Sequence, residues 1–158
     1  MLPEFLMKQQ SAKKSEATIY EGFKGLITAY ENRYQKLIAG DEVVIYGLPK
    51  EQPEYHHAYW KKAAAKLEKL GIKSRLLYHP DVTDETLRNR NSYNLCEARR
   101  MPFNIESPSW AMIYKDVTLI AIPQGAMPFA FEITSQQIAD SFKNYFEWFW
   151  QQSKPFRS

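Results

Sequence analysis

The sequence predicts an α/β fold, with a mixed, mostly parallel sheet, helices on both faces and an antiparallel hairpin toward the C-terminus. Three observations predict it. In the first half, short β-branched runs alternate with stretches whose apolar residues recur at helical spacing. In the second half, two apolar runs flank Lys115-Asp116, the pattern of a hairpin with a tight turn. The chain has 158 residues, 44% hydrophobic and 25% charged, which suits one packed core rather than two. Residues 1–16 read as a polar leader or linker remnant, 17–151 as a single domain and 152–158 as a tail.

The elements follow in order. Residues 17–20 form a short strand, and Glu21-Gly22 turns it into a helix over 22–39. Phe23, Leu26, Ile27, Tyr30, Tyr34, Leu37 and Ile38 fall on one face of that helix, and Gly40 stops it. Residues 42–47 are β-branched and too short for a buried helix, so they read as an interior strand. Pro53 suits a first helical position; Tyr55, Tyr59, Ala63, Leu67 and Leu70 mark the next buried stripe, and Gly71 ends it. A third strand spans 72–78. Strand, helix, strand, helix, strand implies a parallel βαβαβ unit.

From 79 to 94 the chain is polar, a loop or a short, loosely held helix. Residues 94–99 give another strand, 110–114 and 117–122 the hairpin, and 129–133 a last strand. Thr134, three residues before Gln137, has the form of a capping box opening the final helix. Ile138, Phe142, Tyr145, Phe146 and Phe149 form its apolar stripe. Trp148 lies off the stripe, so either the helix is covered on two sides or Trp148 meets another chain.

Composition excludes several functions. Lys and Arg number 21 against 18 Asp and Glu, and the excess is not gathered into the basic stripe that DNA binding by counterion release needs. The single cysteine, Cys96, cannot close an intramolecular disulfide, and its acidic neighbour Glu97 disfavours a thiolate nucleophile, so it reads as a small buried hydrophobe. No apolar run is long enough to cross a bilayer and no signal-peptide pattern opens the chain, which points to a cytoplasmic protein. His56 and His57 are adjacent and diverge on a helix, while His79 stands alone before Pro80, so no metal site is expected. Gly-rich phosphate loops and the nucleophile elbow are missing, and no cofactor is expected.

Several segments, weak singly, carry a resemblance by their order and spacing. They are Ile19-Tyr20-Glu21-Gly22 entering a helix, the step Leu70-Gly71-Ile72-Lys73, the stretch from Asn94 to Pro102, the hairpin from Trp110 to Ile122, and the closing Tyr145-Phe146 with Trp150. Together they resemble the sensor domain of TrmB-like archaeal transcriptional regulators. The resemblance implies a domain similar to one half of phospholipase D, binding a small-molecule effector and contributing to transcription regulation. In that family the sensor follows a winged helix and a dimerising helix. Neither is seen in this sequence, so the expectation is a sensing and dimerisation module without its own DNA-binding part, and without direct DNA or membrane binding.

The phospholipase D pattern, His-x-Lys followed after four residues by Asp, sharpens this. Aligned on Asp116, it puts Ser109 at the His position and Ala111 at the Lys position. Neither replaces the lost group, so no enzymatic activity is expected. The resemblance then implies a ligand cleft at the carboxyl ends of the strands. Tyr20, Glu21, Tyr46, Gly47, Glu97, Arg99 and Asp116 are the candidate binding residues. Glu97 and Arg99 share one face of a strand and can pair with each other or with a ligand. Trp148 and Trp150 are the candidate interface residues for a homodimer or a regulator protein. The alternative is a degenerate phospholipase D-like phosphodiesterase or nuclease completed by dimerisation.

Overall fold

The structure is a computed structural model that describes residues 15–50, 54–105, 107–123, 125 and 127–157. Most of the polar leader, and Pro53 as a helix start, lie outside these residues. The strands are β1 (Glu16–Glu21), β2 (Glu42–Leu48), β3 (Lys73–Tyr78), β4 (Cys96–Arg100), β5 (Trp110–Tyr114), β6 (Val117–Ile122) and β7 (Phe129–Thr134). The helices are α1 (Gly22–Glu31), α2 (Glu54–Lys69), α3 (Asp84–Asn91) and α4 (Gln136–Gln152), with a 3-10 turn at Asn32–Gln35 after α1. No described helix is long and apolar enough to cross a membrane.

The strands form one 7-stranded sheet in the order β1-β7-β6-β5-β2-β3-β4. It is mostly antiparallel, not mostly parallel: only β2–β3 and β3–β4 run parallel, and every other neighbouring pair is antiparallel. The predicted βαβαβ unit fails at its first strand. β1 crosses to the far edge and pairs with β7, Tyr20 opposite Ala130, while β5 takes the place beside β2, Tyr46 opposite Ala111. The side chains of β1 explain the edge position, since all but Tyr20 are exposed and an interior strand needs apolar side chains on both faces.

Helices cover both faces, as expected. On one side α1, α2 and α3 pack over Val43, Ile45, Leu76 and Leu119; on the other, α4 packs Ala139, Phe146 and Trp150 over Val44, Leu77, Ala111 and Ile113. Alternation along β2 sends Val43 and Ile45 to the first core and Val44 to the second. Each fully buried large apolar side chain contributes about 1.5–3 kcal/mol of transfer free energy.

Two local readings need correction, and one open alternative is resolved. The helix predicted over 22–39 stops at Glu31 and tightens into the 3-10 turn, whose threefold period brings Arg33 beneath Tyr30 and into the interior. The polar stretch after β3 folds into α3, because Thr83 Oγ1 accepts the Thr86 N–H at 3.2 Å, acidic residues fill the first turn and Leu87 is buried. The cap of α4 is Ser135, whose Oγ accepts the Ile138 N–H at 3.4 Å; Thr134 is instead the last residue of β7, paired with Glu16 and Val117. At the hairpin turn, Lys115 takes a left-handed φ of 47°.

An ion-pair cluster joins α4 to the sheet. Arg75 on β3 donates from Nε and Nη2 to the two carboxylate oxygens of Glu42 on β2, at 2.8 Å each, and from Nη1 to Glu147 on α4 at 3.1 Å. This two-sided geometry fixes the sheet's lower rim against the helix.

Candidate ligand cavity

On the α4 face, where β2 and β3 end and β5 begins, lies a cavity of about 320 Å³. Tyr46, Gly47, His79, Ser109, Ala111 and Phe142 are among the residues that line it. Its shape starts with Gly47. The pairing of β2 with β3 slips between Tyr46 and Leu48, and Gly47 takes a left-handed φ of 84°. A Cβ at this position would lie 2.9 Å from the Ser109 carbonyl oxygen. Glycine is therefore needed both for the bend and for the close approach of the loop before β5.

That loop is held by its own hydroxyls. Ser107 Oγ and Ser109 Oγ are 3.1 Å apart, and the Ser109 backbone N–H donates to Ser107 Oγ at 3.3 Å. Ala111 follows on β5, buried and opposite Tyr46. His79, just past β3, donates its backbone N–H to the Leu48 carbonyl at 2.8 Å; its Nε2 is buried with no hydrogen-bond partner. Burial, and to a lesser degree Tyr145, pushes the Tyr46 hydroxyl up to about 12, so at neutral pH it remains a protonated donor. Phe142 and Phe149 supply the aromatic wall, with the Phe149 ring 5.5 Å from that of Tyr46. No described residue lining the cavity is an acid, a lysine or an arginine. The arrangement suits a small, largely apolar molecule whose polar group meets hydroxyl and imidazole side chains.

Of the residues predicted from sequence, Tyr46 and Gly47 meet at this cavity together with Ser109 and Ala111. The other five are elsewhere. Tyr20 and Glu21 are on β1 at the sheet edge, where the Tyr20 hydroxyl accepts from Asn32 Nδ2 at 3.0 Å. Glu97 and Arg99 are on β4 at the opposite edge and pair with each other, Nη2 lying 3.1 and 3.0 Å from the two carboxylate oxygens. Asp116 is at the far end of β5 from Ser109 and pairs with Lys36 at 3.1 Å. Trp150 is 9% exposed, lies 5.5 Å from Phe146 in a stacked arrangement and is covered by the Arg99 guanidinium at 4.0 Å. It is a core residue rather than part of a contact surface. Trp148 is 53% exposed and stacks on Phe103 at 5.6 Å. Sequence reasoning missed His79 at the cavity. The available signal was its position directly after β3, the parallel neighbour of β2, where strand ends converge.

No family model matches the sequence, and no curated protein matches it. Solved structures do match the fold. Nuc from Salmonella typhimurium, a phospholipase D family member, superposes with a TM-score of 0.68 at 13% identity over 92% of this chain and 100% of its own. The archaeal chromatin protein TrmBL2, described as showing a novel mode of DNA binding, gives 0.63 at 12% identity over 98% of this chain and 60% of its own. NucT from Helicobacter pylori gives 0.63 at 12% identity over 90% of this chain and 100% of its own. At such identities the likeness is one of architecture: this chain has a phospholipase D-like fold.

Proposed function

We propose that the protein is a non-catalytic ligand-sensing and protein-interaction domain of the TrmB-like type, acting in transcription regulation through a partner rather than by its own DNA contacts. The observation that carries this reading is that Ser109 and Ala111 both line the cavity; alignment on Asp116 sets them at the His and Lys positions of the phospholipase D pattern. A cavity relieved of those groups has hydroxyls for a ligand's polar end and no ammonium to hold a transferring phosphoryl group. The fold likeness to TrmBL2 supports the regulatory side of the proposal. The exposed Trp148–Phe103 stack, with Tyr145 also exposed nearby on α4, is the surface assigned to self-association.

A thermal-shift screen with small, largely apolar molecules bearing one polar group, run beside sugars, nucleotides and amino acids, tests the reading. One class raises Tm saturably, and the rise is lost in Ala111→Trp, which fills the cavity, and reduced in the milder Ser109→Ala. No stabilisation by any class, or a hit that both variants leave untouched, sinks it.

A second reading, phosphodiester hydrolysis, is favoured by one observation. His79 Nε2, buried and without a hydrogen-bond partner, shares the cavity with the Ser109 hydroxyl. It requires turnover of bis(p-nitrophenyl) phosphate that His79→Ala abolishes; an inert wild-type protein removes it.

A further inference from the structure

The opposite face of the sheet holds a second cavity. It lies between β2, β3 and the helical layer, measures about 40 Å³, and both Arg33 and Arg90 line it. These are the most deeply buried cations of the described chain, at 0% and 4% exposure. Neither makes an ion pair with a described carboxylate: Glu42 and Glu147 go to Arg75, Glu97 to Arg99, Asp84 to Arg100.

Their neutral partners leave donors over. The Arg33 guanidinium lies 3.6 Å from the Tyr30 ring centroid, with Nη2 on the Tyr34 hydroxyl at 3.1 Å and Nη1 on the weak acceptor Met112 Sδ at 3.6 Å. Its Nε has no hydrogen-bond partner at all. Arg90 donates from Nε to the Tyr78 hydroxyl at 3.1 Å and from Nη1 to Asn89 Oδ1. Burial raises both Tyr30 and Tyr78 above the usual phenol value, so neither supplies a negative charge. Ser74 and Cys96 add a hydroxyl and a thiol to the wall; burial keeps the thiol protonated, and the rest of the lining is apolar. Two buried guanidinium groups without a described counter-charge cost several kcal/mol apiece.

We infer that this cavity is an anion site: Arg33 and Arg90 hold a small monovalent anion, a halide or a carboxylate- or nitrate-sized oxyanion, as their missing counter-charge. Size sets the class. One water needs roughly 10–15 Å³ of comparable space, so the cavity takes an ion of a few heavy atoms and excludes a nucleotide or a sugar phosphate. Charge sets the rest, because two guanidinium groups line the wall and no described acid does. The site is independent of the cavity under α4, so its failure leaves the ligand-sensing reading intact.

The test is thermal unfolding at fixed ionic strength, replacing sodium gluconate stepwise by sodium chloride, nitrate or formate. Wild type shows a saturable rise in Tm of about 5–10 °C at a hundredfold excess over the dissociation constant. Gluconate, too large to enter, gives none. A response to chloride alone identifies a halide site; a stronger response to nitrate and formate identifies an oxyanion site. Arg33→Met and Arg90→Met each abolish the saturable rise. Because either variant can fail to fold, wild-type crystals grown in bromide supply a second measurement: an anomalous peak within hydrogen-bond reach of the two guanidinium groups. A Tm independent of the anion, a rise retained in both variants, or bromide-grown crystals without that peak overturns the inference.

Discussion

The two faces of β2 bury different kinds of side chain. Beneath α4 the charged groups are drawn to the rim, where Arg75 is matched by Glu42 and Glu147, and the cavity itself is lined by Ser109, Ala111, His79 and aromatic rings. Beneath α2 the reverse holds: two buried arginines lie among tyrosines and aliphatic side chains, and no described acid pairs with them. The contrast teaches that a fold accommodates a neutral cavity more easily than an unmatched buried charge. Small neutral residues at the first cavity leave nothing to neutralise, whereas a guanidinium in a closed interior demands a partner.

Mutations can break or sharpen this contrast. The largest effect belongs to the α4 face. Phe146 is fully buried, so Phe146→Ala costs about 3–5 kcal/mol in urea unfolding. A loss below about 1 kcal/mol would mean that α4 is not packed as described. Next comes the cavity mouth. Gly47→Ala combines a left-handed φ of 84° with the approach to the Ser109 carbonyl, and costs about 1–3 kcal/mol by the same measurement. A neutral result would show that the loop before β5 yields, and with it the shape of the cavity.

The smallest effect is a control at a residue that lines neither cavity. Asp41 accepts the Ile38 N–H at 2.8 Å and pairs with Lys115 at 3.1 Å, and these contacts, the backbone donor foremost, hold its carboxyl below the ordinary 3.8. A lowered folded-state value stabilises at pH above the unfolded value, and the gain disappears as pH falls through the folded one. Asp41→Asn is therefore slightly less stable than wild type at neutral pH, and the two Tm curves converge in acid. Its Tm response to chloride, nitrate and formate should match that of wild type.

Much of this fold was legible because periodicity survives folding. The short β-branched run that marks β2, buried on both faces, and the helical stripe of α4 both follow from burial, and burial is what apolar residues record. Neighbour order left a fainter trace. Nothing in residues 17–20 names β7 as their partner, and only their exposure on β1 reveals an edge. Arg33 was hidden for another reason: its position, three residues after Tyr30 and seven after Leu26, falls on the apolar face, but its charge sets it apart from the aliphatic and aromatic residues that mark a stripe. At the cavity, Ser109 and Ala111 were readable from their spacing to Asp116, whereas the arrival of His79 depends on β3 lying beside β2.

The Arg75 cluster sets a gauge at a distance. Glu147 sits two residues before Phe149, so sliding α4 along its axis by one turn, about 5.4 Å, would pull the carboxylate off Arg75 while displacing an aromatic wall of the α4 cavity. The width of that recess is thus calibrated by an electrostatic latch outside it, and loosening the latch would change which molecules the recess admits without altering any side chain that touches them.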